Sequence, residues 1–97
     1  METYVCLANF TEQGIKTIKE APPRIDALGP SIEAAGGKLL GWYLTQGQYD
    51  VVAITQFPDA KTAMSVLMAT GMQGNVRTET MRAFSAAEFK DMAAKLP

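Results

Sequence analysis

The chain has 97 residues, of which 47% are hydrophobic and 20% charged. That is room for one globular domain, and too much apolar material for a disordered chain. Nine basic and ten acidic residues leave a net charge of −1, with no basic cluster to meet nucleic-acid phosphates, so nucleic-acid binding is set aside.

No apolar run approaches the roughly 20 residues of a membrane span. The opening METYVCLANF lacks a basic start and a small-residue cleavage site, so a cytoplasmic protein is expected. The single cysteine has no partner for an internal disulfide. The absence of histidine removes Ser–His and Cys–His pairs, histidine metal sites and histidine-ligated haem. GMQGN (residues 71–75) is not a phosphate loop, because no lysine follows and it opens a strand. No cofactor is expected.

Residues 3–10 (TYVCLANF) are β-prone, with Val5 and Leu7 on one face and Tyr4, Cys6 and Ala8 on the other. Such strands are usually covered on both faces. Thr11 is placed to cap a helical segment carrying Ile15 and Ile18, and Pro22 or Pro23 suits the first turn of the next helix. Ile25, Leu28 and Ile32 form that helix's apolar stripe. Gly29-Pro30 is expected to kink or split it, and AGGK (residues 35–38) to end it.

Residues 38–46 (KLLGWYLTQ) form a second strand and residues 49–57 a third, with Gly47-Gln48 as the hairpin between them. Asp59 is the expected N-cap of a helix that presents Ala63, Val66, Leu67 and Thr70 on one face, with Met64 and Met68 beside it. Residues 76–84 (VRTETMRAF) alternate and are polar enough for an edge or interface strand. SAAE (residues 85–88) reads as a capping box, followed by an amphipathic helix with Phe89, Met92, Ala93 and Leu96 on one side.

The order β-α-β-β-α-β plus a C-terminal helix predicts an α+β ferredoxin-like plait, with a four-stranded antiparallel sheet and both main helices on one face. One domain spans residues 1–97. Strands one and three take the centre. Their apolar side chains point to both faces, so the face without helices needs a cover, and face-to-face packing of two sheets in a homodimer or higher homo-oligomer supplies one.

GGKLLGWYLTQGQYDVVAITQFPD (residues 36–59) resembles the GYD family of small bacterial and archaeal proteins, its signature falling on Gly47, Tyr49 and Asp50 with Gln48 between. GNVRTETMRAFSAAEF (residues 74–89) and FTEQGIKTIKEAPPR (residues 10–24) are similar to the family's other characteristic stretches, Gly29-Pro30 being a departure. The resemblance implies a dimeric α/β-barrel-type fold but no reaction. Fold relatives include cofactor-free monooxygenases, muconolactone-isomerase-like enzymes, haem-handling enzymes and amino-acid-sensing domains, which is analogy only.

Five residues are candidates for ligand contact: Tyr49, Asp50, Arg77, Trp42 and Tyr43. The Tyr49 phenol can orient a ligand, and the Asp50 carboxylate can act as a base or an acceptor. As ordinary structure, the same two residues would finish and anchor a turn. Arg77 can bind an anionic group or simply keep an edge strand soluble, in company with Glu79 and Arg82. Trp42 and Tyr43 lie on opposite faces of their strand. With Phe10, Met64 and Met68, one of them would line an apolar pocket, or both would serve core and dimer contacts. Cys6, with no basic neighbour in sequence, reads as a buried, inert thiol rather than a nucleophile.

The composition and the resemblance together suggest a homodimeric small-molecule binding or sensing module. The alternatives are a cofactor-independent enzyme, with Asp50 or Tyr49 catalytic, and a purely structural or assembly protein.

Overall fold

The computed structural model describes all of residues 1–97. Its elements are β1 (Glu2–Phe10), α1 (Glu12–Lys16), a 3-10 turn (Ile18–Glu20), α2 (Ala21–Ala34), β2 (Lys38–Leu44), β3 (Val51–Phe57), α3 (Ala60–Met72), β4 (Val76–Ala83) and α4 (Ala86–Ala94). The four strands form one antiparallel sheet in the order β2-β3-β1-β4. The two most continuously apolar strands are therefore central, and the charged β4 is an edge.

Register sorts the side chains. Tyr4, Cys6 and Ala8 lie opposite Thr55, Ala53 and Val51 on β3 and opposite Arg82, Thr80 and Thr78 on β4. This is the face toward α2 and α3. Its closed end is a small core of Tyr4, Ile32, Phe57 and Ala63, with Leu28, Leu39 and Val66 packed against it. Tyr4 meets Phe57 edge-on at 6.1 Å between ring centroids.

The other face carries Val5, Leu7, Val52, Ile54 and Met81 at its centre and Tyr43 on β2. No element of the chain covers it. Only 11 of the 97 residues are buried, so much of the chain's apolar content remains at the surface or along the helix–sheet boundary.

The cap residues behave as their chemistry requires. Thr11, Asp59 and Ser85 accept backbone N–H bonds at the starts of α1, α3 and α4, and Ser85 with Glu88 forms the reciprocal capping box. These bonds hold the Asp59 and Glu88 carboxyls below their ordinary range. Their stabilisation is thus complete near neutral pH and is lost as pH falls through the folded-state values.

Two expectations change, and β2 adds a feature of its own. α2 runs unbroken through Pro30. The proline removes only its own N–H, and Ile32, 2% exposed, anchors the next turn in the core. The hairpin is longer than two residues. Thr45 N–H donates to the Asp50 carbonyl at 2.8 Å, and Gln46, Gly47, Gln48 and Tyr49 lie between, with Gly47 at φ 107°. β2 also contains an irregularity at Leu40, where pairing passes from Leu39 to Gly41. That extra residue puts Leu39 and Trp42, three apart, on the same helix-side face.

α4 buries none of its residues. Phe89 is 64% exposed and Leu96, just beyond the helix, 71%. The molecule measures 52 × 31 × 18 Å with a radius of gyration of 14.8 Å, against about 12.5 Å for a compact domain of this length. The C-terminal helix stands off the body.

The turn between α3 and β4 is clasped to the start of α1. Thr11 N–H donates to the Asn75 carbonyl at 3.0 Å, and Thr11 Oγ1 donates to the Gly74 carbonyl at 2.6 Å. Gln13 Nε2 reaches both the Gln73 carbonyl and Asn75 Oδ1 at 3.0 Å. Gly14 permits this approach, because a Cβ there would collide with the Asn75 carbonyl. Replacing Gly14 with Ala is expected to cost about 3 kcal/mol, read as a lowered midpoint in urea unfolding. An unchanged midpoint would show that the clasp is not closed in solution.

Candidate functional site

The sheet and the two main helices do not close on each other completely. A cleft of about 610 Å3 lies between them, lined by 28 residues of which 19 are hydrophobic, within the range typical of small-molecule sites. Its origin is visible in the side chains. Ala8 and Ala53 on the sheet, and Ala27, Ala63 and Ala69 on the helices, are too small to fill the separation. Trp42 and Phe10 add the aromatic walls.

Nine polar residues interrupt this lining, and two of them stand out. Arg24, in the first turns of α2, is its only charged residue. Thr80 Oγ1 is buried and makes no hydrogen bond. The nearby polar group is the Cys6 thiol on the paired strand, whose pKa burial pushes up, offset in part by the Thr80 hydroxyl. The thiol and the hydroxyl therefore sit side by side, each the other's polar neighbour.

Of the five sequence-predicted residues, only Trp42 lines the cleft. Tyr43 points to the opposite, uncovered face and is 58% exposed. Met64 and Met68, on α3, lie outside the main cleft beside Leu67, Thr78 and Thr80. Tyr49 OH donates to Glu79 Oε2 at 2.6 Å, tying the β2–β3 loop to β4 across the end of β1. Asp50 Oδ2 accepts the Phe10 N–H at 2.9 Å, and its own N–H donates to the Ala8 carbonyl at 2.9 Å. Arg77 lies opposite Asn9, exposed and without an ion pair; the two ion pairs present are Lys16–Glu12 and Arg82–Glu2. Tyr49, Asp50 and Arg77 are thus gathered at one end of the sheet, but not around the cleft.

Arg24 and Thr80 were not singled out from sequence as a site. The available signal was the recurrence of alanine at helical spacing opposite alanines on the central strands, a pattern that marks missing volume rather than chemistry.

The GYD domain family matches residues 4–93. The chain belongs to the GYD family. It is 29% identical over 97 residues, covering 99% of both chains, to a Thermus thermophilus protein named glutamine synthetase and cystathionine beta-lyase binding protein. It is also similar to the crystal structure of TTHA0845 from Thermus thermophilus, with a TM-score of 0.56 and 27% identity, covering 89% of this chain and 96% of that one.

In this GYD chain each signature residue has a structural task. Gly47 supplies the positive φ of the loop. Asp50 caps the end of β1, and Tyr49 reaches Glu79. That hydrogen bond, followed by burial and the carboxylate's charge, raises the Tyr49 pKa above the ordinary tyrosine value. Its contribution to stability is complete below the ordinary value and disappears as pH rises through the folded-state value.

Two outcomes follow. In an alkaline absorbance titration, Glu79→Gln should move one tyrosine transition to lower pH, whereas an unchanged titration would remove the Tyr49–Glu79 bond. Asp50→Ala should lose about 2 kcal/mol in denaturant unfolding, and Asp50→Asn, which keeps an acceptor oxygen, less. Equal, negligible losses would show that the Phe10 N–H does not depend on this side chain.

Proposed function

We propose that the protein is a homodimeric binding module that takes a small apolar molecule into the cleft between its sheet and helices. The observation that carries this reading is the alanine-lined space of about 610 Å3 itself, 19 of whose 28 lining residues are hydrophobic. An apolar guest regains the dispersion contacts that the small side chains forgo.

The uncovered face supports the dimer. Four strands about 4.8 Å apart and about eight residues long present roughly 500 Å2 in projection, short of the roughly 800 Å2 per partner of a standard interface. The free apolar stripe of α4, with Phe89 and Met92, offers further area. A sheet-to-sheet pair with α4 laid on the neighbour covers both.

A second reading is favoured by the relative's name, which describes binding to two enzymes. Carried over to this chain, it makes the exposed α4 a surface for an enzyme partner. The enzyme reading has less support, because the Asp50 carboxylate is committed to the Phe10 N–H.

Trp42 is the only tryptophan, so its emission reports on the cleft. Titration with neutral octan-1-ol should shift or quench Trp42 emission saturably. A linear, non-saturating response would contradict the binding module. For the assembly, light scattering should give twice the mass of a single chain, and Ile54→Glu, at the centre of the open face, should give single chains. A monomeric wild type would refute the dimer.

A further inference from the structure

The cleft's one charge identifies the kind of molecule it takes. Arg24 stands among apolar walls with no Asp or Glu in the lining. Glu20, one turn earlier, makes no ion pair with it, and neither does any other carboxylate. It follows Pro22 and Pro23 near the start of a 14-residue helix, with Glu20 at the N-cap as the acid beside that end, so its cation sits near the positive end of the helix dipole. Two of the four free N–H groups usual at a helix start are absent because they would belong to those prolines. The backbone therefore offers an anion little, and the guanidinium is the group left to receive one.

The chain direction puts Arg24 at a definite end. β1 finishes and β4 begins there, with Phe10 opposite Val76, and Gln73 and Asn75 line the same cleft. The Tyr4–Ile32–Phe57–Ala63 core closes the other end. The space thus has Arg24, Gln73 and Asn75 toward one end and the closed apolar core at the other.

We propose that the ligand is a small amphipathic monoanion, an apolar body lying on the alanine floor against Trp42 with its carboxylate paired to Arg24. This rests on the reading of the cleft as a binding site and adds the head group. A guanidinium and a carboxylate meet through two parallel N–H···O bonds, a geometry a neutral hydroxyl cannot reproduce.

Three probes with one eight-carbon tail separate the possibilities: octanoate, octan-1-ol and octylammonium, each titrated against Trp42 emission at fixed ionic strength. Octanoate is expected to bind about tenfold more tightly than the alcohol, and the ammonium more weakly than either. Arg24→Met should remove the octanoate preference while leaving alcohol binding in place, and Arg24→Lys should restore part of it. Equal binding of octanoate and alcohol by the wild-type protein would overturn the head-group assignment and leave the apolar cleft standing. A preference that survives in Arg24→Met would overturn the role of Arg24. If no probe perturbs Trp42, the assignment falls together with the binding module. The wild-type series decides the charge preference even if a variant fails to fold.

Discussion

The architecture depends on one mismatch: the central strands are apolar on both faces, and the chain has helices for only one. Val5, Leu7, Val52 and Ile54 leave β1 and β3 on the side that α2 and α3 do not cover. Such a patch is rare on a monomer that remains single, because each apolar group kept in water forgoes the stabilisation of burial. The free stripe of α4 has the same character. Both features support the proposed pairing with a second copy, which would leave the helix-side cleft as a space belonging to each chain.

The cleft and the clasp are complementary parts of one design. The bonds from Thr11 and Gln13 to the α3–β4 turn fix where α3 ends and β4 begins. The closed core at Ile32 fixes where α2 ends. With both helices held at their ends, closing the space above Ala53 would require one of these contacts to give. The GYD signature belongs to this framework. Asp50 and Tyr49 secure the end of β1 and the loop beside it rather than reaching into the cleft.

Much of the fold was legible because alternation and capping are local. The faces of β1, the separation of Trp42 from Tyr43, the Asp59 and Ser85 caps and the central places of β1 and β3 all follow from residue type and period. The Leu40 irregularity was not legible, since an extra residue in a strand changes no composition; Gly41 was its only sign. Pro30 misled because its cost is local, while Ile32, two residues on, is held by tertiary packing. The candidate site was the least legible part. Trp42 was found because it is large, whereas Arg24 and Thr80 acquire meaning only when an empty volume lies beside them. Periodicity reports which side chains face inward, not whether they fill the space they face.

The central claim is that the space between α2, α3 and the sheet is held open for a guest. It is tested most directly by a high-resolution crystal structure of the protein grown with octanoate. The account predicts density for the chain of the ligand against Trp42 and Ala53 and for its carboxylate at Arg24, with α2 and α3 apart. Helices closed onto an alanine-packed floor, with no room for the probe, would contradict it.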